Sequence, residues 1–208
     1  SFASASTSGS AAAGPCGIDT ATARFSSTTG DGASWPSASY SAVMRAQSVS
    51  PGSRARAWHA AIAQARETIL LENYIFRDDD VGRGFVSALV ERARAGVRVC
   101  VARDWLGCFG QSGARFWQPL LEAGGEVRAY NPPRLLSPFG WLARDHRKLL
   151  VVDRTIGFVG GICVSGAWLG DPAHGVPPWR DTAVAIRGPV IDELVQAFAD
   201  VWAQMGEP

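Results

Sequence analysis

From Arg54 onward, short apolar runs alternate with longer amphipathic stretches, and this alternation restricts the fold more than any other feature of the chain. Residues 68–76 (TILLENYIF) read as a buried strand, 97–103 (VRVCVAR) as a second and 126–130 as a short third. Between them, 54–67 carries Trp58, Ile62 and Ala65 toward a core, 81–95 carries Phe85, Leu89 and Val90 and stops at Gly96, and 112–123 stops at Gly124-Gly125. Residues 148–153 and 156–159 predict two strands around an Asp153-Arg154-Thr155 turn, and 180–186 predicts another. Gly188-Pro189 opens a last helix whose Ile191, Leu194, Val195, Phe198, Val201 and Trp202 follow helical spacing. Strands alternating with helices in this way predict an α/β sandwich with a mixed sheet.

The amino-terminal quarter is different. Residues 1–14 (SFASASTSGSAAAG) are low-complexity Ser, Ala and Gly, and 15–53 stay rich in Ser, Thr and Gly. We expect 1–53 to be a tail and linker, and 54–208 to be the folded lobe. The chain opens on Ser1 rather than Met, so a processed form or a fragment is expected. A net charge of +1 gives no global electrostatic case for nucleic acid, and no apolar run reaches the ~18 residues that span a bilayer. Cys16, Cys100, Cys108 and Cys163 lack metal-ligand spacing; buried free thiols are expected, which favours a reducing compartment.

One residue type is rationed. The twenty basic residues include a single lysine, Lys148, and it falls two residues after His146. On an extended strand that spacing places both side chains on one face. A nucleophile or general acid beside a compact cation is what attack on a phosphate ester requires.

The residues around this pair, HRKLLVVDRTIGFVGGICVSGAW, fit HxKxxxxD with Gly160-Gly161 following after six intervening residues. This resembles the phospholipase D superfamily signature. The flanking ILLENYIFRDDDVGRGFVSALVERARAGVRVCVARDWLG and PWRDTAVAIRGPVIDELVQAFADVW look like the cardiolipin synthase branch, so the likeness runs over about residues 54–203. It implies a single phospholipase-D-like α/β/α lobe with a mixed central sheet. It also implies a phosphohistidine intermediate, a second histidine from a second copy of the motif, and no metal or organic cofactor. The signature names His146, Lys148 and Asp153 as catalytic. Mapped by resemblance, His146 is the nucleophile or the acid, and Lys148 neutralises a non-bridging phosphate oxygen. The side-chain-free backbone at Gly160 and Gly161 can approach a phosphate.

Asp153 is a special case. On a straight strand it has the opposite parity to His146 and Lys148 and lies about 16 to 23 Å away, so it reads as structural, holding the turn or a neighbouring backbone. An orienting carboxylate for the histidine must come from elsewhere. Asp181, which resembles the family's acidic residue at this point, is one candidate, and Glu72, inside an apolar strand, is the other. The superfamily's usual Asn two residues after the glycine pair is replaced by Cys163, whose thiol is a weak hydrogen-bonding group; Ser165 could supply a hydroxyl. His174 lies in a Gly/Pro loop and His59 on a helix surface.

Ahead of the motif, Leu135, Leu136, Phe139 and Trp141, flanked by Arg134 and Arg144, have the make-up of a membrane-interface loop. The expected reaction is phosphatidyl transfer or phosphodiester hydrolysis on a phosphatidylglycerol-like phospholipid, by a protein cytoplasmic and peripheral to the inner membrane. The second catalytic half is expected from a dimer partner or from sequence outside this chain. Two other readings stand beside it: a homodimeric nuclease of the same superfamily, disfavoured by the charge balance, and a phospholipid-binding lobe without activity.

Overall fold

The computed structural model describes residues 43–49, 51–133 and 142–205. In chain order the elements are β1 (Val43–Val49), α1 (Pro51–Gln64), β2 (Thr68–Asn73), α2 (Asp80–Arg94), β3 (Arg98–Asp104) and α3 (Ala114–Glu122). They continue with β4 (Glu126–Tyr130), β5 (Lys148–Val152), β6 (Ile156–Val159), β7 (Asp181–Arg187) and α4 (Ile191–Gln204). The seven strands form one sheet in the order β1-β7-β6-β5-β2-β3-β4. β2, β3 and β4 run parallel, joined by the crossover helices α2 and α3, and every other neighbouring pair is antiparallel.

Both faces of the sheet are covered, which is why the central strands are apolar without alternation. Ile69 and Leu71 of β2 face α1, α2 and α3, in a core with Trp58, Ile62, Phe85, Leu89 and Trp117. Leu70, from the same strand, faces α4 in a second core with Ile191, Val195, Phe198 and Trp202. Fully burying one such large side chain contributes roughly 1.5–3 kcal/mol. The layering is therefore three helices over one face and one over the other. The α2 amino terminus is held by Asp79, whose carboxylate accepts the Gly82 N–H at 2.9 Å.

The elements predicted from Arg54 onward are present, with ends displaced by a few residues. The boundary at residue 53 needs correction. Val43–Val49 pairs along its whole length with β7, and α1 begins at Pro51. The Ser-rich composition hid this strand because an edge partner can be selected by backbone pairing rather than by apolar pattern. The thiols also need correction: Cys108 and Cys163 are free and buried, whereas Cys100 is disulfide-bonded. The argument for a reducing compartment from four free thiols therefore lapses.

The topology gathers one set of loops. The carboxyl ends of β2, β3, β4 and β6 and the amino ends of β5 and β7 all lie at the same end of the sheet, because Asn73 pairs with Lys148, Leu149 with Val159 and Val159 with Val184.

Candidate active site

Lys148 opens β5 at that end. It is in register with Asn73, so the two share the face covered by α1, α2 and α3. Lys148 is only 3% exposed, and its Nζ donates to the His146 carbonyl at 2.6 Å. The ammonium also sits 5.1 Å from the centre of the Tyr74 ring, and the His146 ring stands 4.5 Å from that same ring. One tyrosine therefore carries both members of the HxK pair, a cation against its π face and an imidazole packed at 53°. Sequence reasoning missed Tyr74. Its place one residue past β2, at the strand end that receives Lys148, becomes meaningful only with the antiparallel register known. The loop after β3 closes on it, where a Cβ at Gly107 would stand 2.2 Å from the Tyr74 carbonyl, so this position admits only glycine without a backbone shift.

His146 is exposed, while its partner cation is buried. The His146 pKa is held below its ordinary 6.5, first by desolvation and then by the Lys148 charge, against an opposing pull from Asp104 and Asp145. The neutral imidazole is thereby favoured at neutral pH, the form able to attack phosphorus.

Glu72 and Asp181, the two candidate orienting carboxylates, each have close partners of their own. Glu72 pairs in register with Leu149, which puts it on the α4 face, opposite Lys148. It is fully buried, and Oε1 accepts from Arg147 Nε at 2.6 Å. The partner of its carboxylate is therefore Arg147 rather than His146. Asp181 accepts the N–H groups of Gly161 and Ile162 at 2.9 and 3.2 Å. Gly161 is what permits this: a Cβ there would lie 2.6 Å from Asp181 Oδ1.

Gly161 therefore makes room for a carboxylate, while Gly160 meets β5 through its backbone. Gly160 N donates to the Lys148 carbonyl, and Gly161 N donates to Asp181, so both N–H groups already have acceptors. Ser165 is buried; its hydroxyl donates to Asp79 Oδ2 at 3.0 Å and accepts the Ala167 N–H. Asp79 also accepts from Gly166 N, and although burial alone would raise its pKa, these hydrogen bonds lower it. Cys163 is buried and lines a small void of about 20 Å³ with Trp58, Phe85 and Ser165. Both side chains take part in the packing that ties this segment to α1 and α2.

Asp153 sits at the far end of β5, in the turn to β6, where it and Arg154 both adopt positive φ, 50° and 49°. Its carboxylate accepts the backbone N–H groups of Arg66, Glu67 and Thr68 at 2.8–2.9 Å. Both oxygens are engaged in joining the α1–β2 link to the β5–β6 turn, so the third residue of the signature fastens the strand that bears the other two. Leu135, Leu136, Phe139 and Trp141 lie outside the described residues. Among the described residues no group of three or more His, Cys, Asp or Glu is arranged to hold a metal.

On the α4 side of the same end, Tyr130, Arg144, Asp145, His146, Arg147 and Val201 line an open depression of about 420 Å³. His59 packs against Phe85, and His174 is paired with Asp171 at 2.6 Å.

The fold is similar to that of Nuc from Salmonella typhimurium, a phospholipase D family member, with a TM-score of 0.57 and 18% identity over 78% of this chain and 95% of that one. It is also similar to phosphatidylserine synthase from Haemophilus influenzae, with a TM-score of 0.52 and 12% identity over 79% and 39% of the two chains. The class is therefore a phospholipase D fold carrying one HxK site. Within that class, residues 59–167 match the family model described as "Cardiolipin synthase, PLD-like domain". Cardiolipin synthase A of Pseudomonas putida is 38% identical over 149 residues, and that of Pseudomonas entomophila 37% over 153 residues. The alignments cover 69% and 71% of this chain. The chain belongs to this family of cardiolipin synthase, PLD-like domains. It spans about 30% of the length of the curated relatives it matches.

Proposed function

We propose that this lobe is one half of a phosphatidyl-transferring site. In this reading His146 acts on the phosphodiester of a phosphatidylglycerol-like lipid and Lys148 balances the charge that develops on its non-bridging oxygens. The observation that carries it is the seating of an exposed imidazole and a buried ammonium on the one Tyr74 ring. If His146 attacks, a P–N bond forms as the P–O bond to the leaving alcohol breaks; the alcohol takes its proton from a second histidine. Water or an acceptor alcohol then breaks the P–N bond, and its proton returns to that second histidine. If His146 is instead the acid, the roles exchange. Either way the second histidine comes from a further copy of the motif, in another half of the polypeptide or in a second copy of the chain.

A lipid interface is supported by where apolar surface is left open. Among the described residues the exposed large apolar residues are Leu121 on α3 and six others, Phe109, Leu142, Val159, Leu169, Val176 and Trp179, which all belong to the connections and strand end at the His146 end of the sheet. Among the described residues no helix is long and apolar enough to cross a membrane. Peripheral contact at the inner membrane is the proposed setting.

The test is turnover of radiolabelled phosphatidylglycerol in vesicles by the wild-type chain and by His146→Ala, with single-stranded and duplex DNA as rival substrates. Label transfer or release that depends on His146 supports the proposal. DNA cleavage without lipid turnover points to the nuclease reading, and vesicle binding with neither activity to a binding lobe.

A further inference from the structure

The α4 face of the sheet holds a cluster that the proposed reaction does not use. Glu72 Oε1 accepts from Arg147 Nε at 2.6 Å. Asp145 Oδ1 accepts the Arg147 backbone N–H at 3.3 Å and lies 3.6 Å from Arg147 Nε. Arg147 Nη2 donates to the Ala197 carbonyl of α4 at 2.9 Å. The Asp145 backbone N–H donates to Asp104 Oδ2 at 2.9 Å. Glu72 is 0% exposed and Asp145 5% exposed, and two of their oxygens, Glu72 Oε2 and Asp145 Oδ2, are buried with no donor.

The charges do not balance as drawn. Two carboxylates share one guanidinium, leaving a net negative charge in a buried site, where desolvation disfavours an uncompensated ion. A single proton resolves both problems: it neutralises one carboxylate and supplies the donor that the two leftover oxygens lack.

The cluster is also placed where it can matter. Asp145 and Arg147 alternate with His146 and Lys148. The odd-numbered pair is gripped from the α4 face by Glu72, while the even-numbered pair rests on Tyr74 from the other. We propose that Glu72, held as the neutral acid and hydrogen-bonded to Asp145, joins Arg147 in a clamp that positions His146. Glu72 and Arg147 are positioning residues in this scheme, and the proposal takes from the proposed function only that His146 is the reacting side chain.

The electrostatics agree with the geometry. Burial, then the hydrogen bond and charge of Asp145, push the Glu72 pKa up to about 8, against the opposing pull of Arg147. The remaining charged groups on this face are engaged elsewhere. Asp104 accepts from Gly107 N and Asp145 N, with Arg144 at 3.8 Å. Arg128 on β4 pairs with Glu126 and lies over Trp202, and α4 presents the Ala197 carbonyl. The Asp145 charge is felt at His146, so loss of the shared proton should be legible there.

The chain contains three histidines, so the ring carbon–proton signals of His146 can be resolved by NMR and assigned with His59→Gln and His174→Gln. Following His146 from pH 5 to 10 in the wild-type chain should show its own titration below 6.5 and a second, smaller step near pH 8. Glu72→Gln mimics the neutral acid, so it should abolish the second step and leave the first in place. Glu72→Ala removes the grip and should displace the first. The proposal is overturned if the wild type lacks the step near pH 8, if Glu72→Gln retains it, or if Glu72→Gln displaces the first titration as much as Glu72→Ala does. Should Glu72→Ala fail to fold, the wild type and Glu72→Gln decide alone. No substrate is needed, so a failure of lipid turnover leaves this result untouched.

Discussion

The ring of His146 stands 4.5 Å from that of Tyr74, and Lys148 Nζ is 5.1 Å from the same tyrosine. A residue outside the signature thus contacts both of the side chains that define it. Desolvation first, and then the Lys148 charge, hold the His146 pKa below its ordinary 6.5, so the imidazole stays neutral near pH 7.

Replacing Lys148 tests that coupling. The Lys148 charge lowers the His146 pKa, second to desolvation, so Lys148→Met should raise it. Lys148→Arg keeps the charge but must fit a planar guanidinium into a slot only 3% exposed. Lipid turnover should fall by about 10²-fold or more in both variants, in line with the loss of a group aimed at developing charge. Histidine NMR reads the first effect and a vesicle assay the second.

Asp153→Ala should unfold the protein more easily and leave His146 alone. It strips the acceptor from three backbone N–H groups. We expect a loss of about 1–3 kcal/mol in denaturant unfolding, with the His146 titration unchanged.

Gly161→Ala places a methyl 2.6 Å from Asp181 Oδ1 and should cost about 1–3 kcal/mol through overpacking. Because the clash is with that carboxylate, adding Asp181→Ala should cost less than the two single changes summed. Unfolding midpoints of the four proteins in the cycle give the answer.

The Glu72 carboxyl also has a stability signature. With its folded pKa raised to about 8 from 4.5, its contribution is complete below 4.5 and is lost as the pH climbs through about 8. Over that window stability should fall by up to about 1.4 kcal/mol per pH unit. Glu72→Gln should flatten the slope in a series of urea titrations.

The exposed Trp179, which meets Trp168 edge-on at 5.0 Å, is the largest apolar side chain open at the site end. Trp179→Ser should weaken binding to phosphatidylglycerol vesicles roughly tenfold or more, the equivalent of withdrawing one large side chain from an apolar medium. Co-sedimentation with vesicles measures it.

Much of this was legible in the residues, and the rest was not, for physical reasons. The strands of the central sheet announce themselves because burial on both faces removes polar alternation, as in residues 69–71. The parity of His146 and Lys148 follows from the two-residue period of a strand, and so does the distance of Asp153 from them. Parity within β5, however, says nothing about which face of β2 meets it. Only the pairing of Asn73 with Lys148 sends Glu72 to the α4 side and brings Tyr74 to the site. The Ser165 hydroxyl looked available because its partner, Asp79, lies 86 residues away in sequence. Val43–Val49 lacks the apolar pattern of a central strand and gains its place by pairing with β7.

The central claim is that His146, seated with Lys148 on Tyr74, takes part in the chemistry on a phospholipid. The most direct measurement compares phosphatidylglycerol turnover by the wild-type chain, His146→Ala and His174→Ala, the last altering a histidine at the same end of the sheet that is paired with Asp171. The account predicts a loss of at least about 10³-fold for His146→Ala and near wild-type turnover for His174→Ala. Turnover that survives His146→Ala would contradict it.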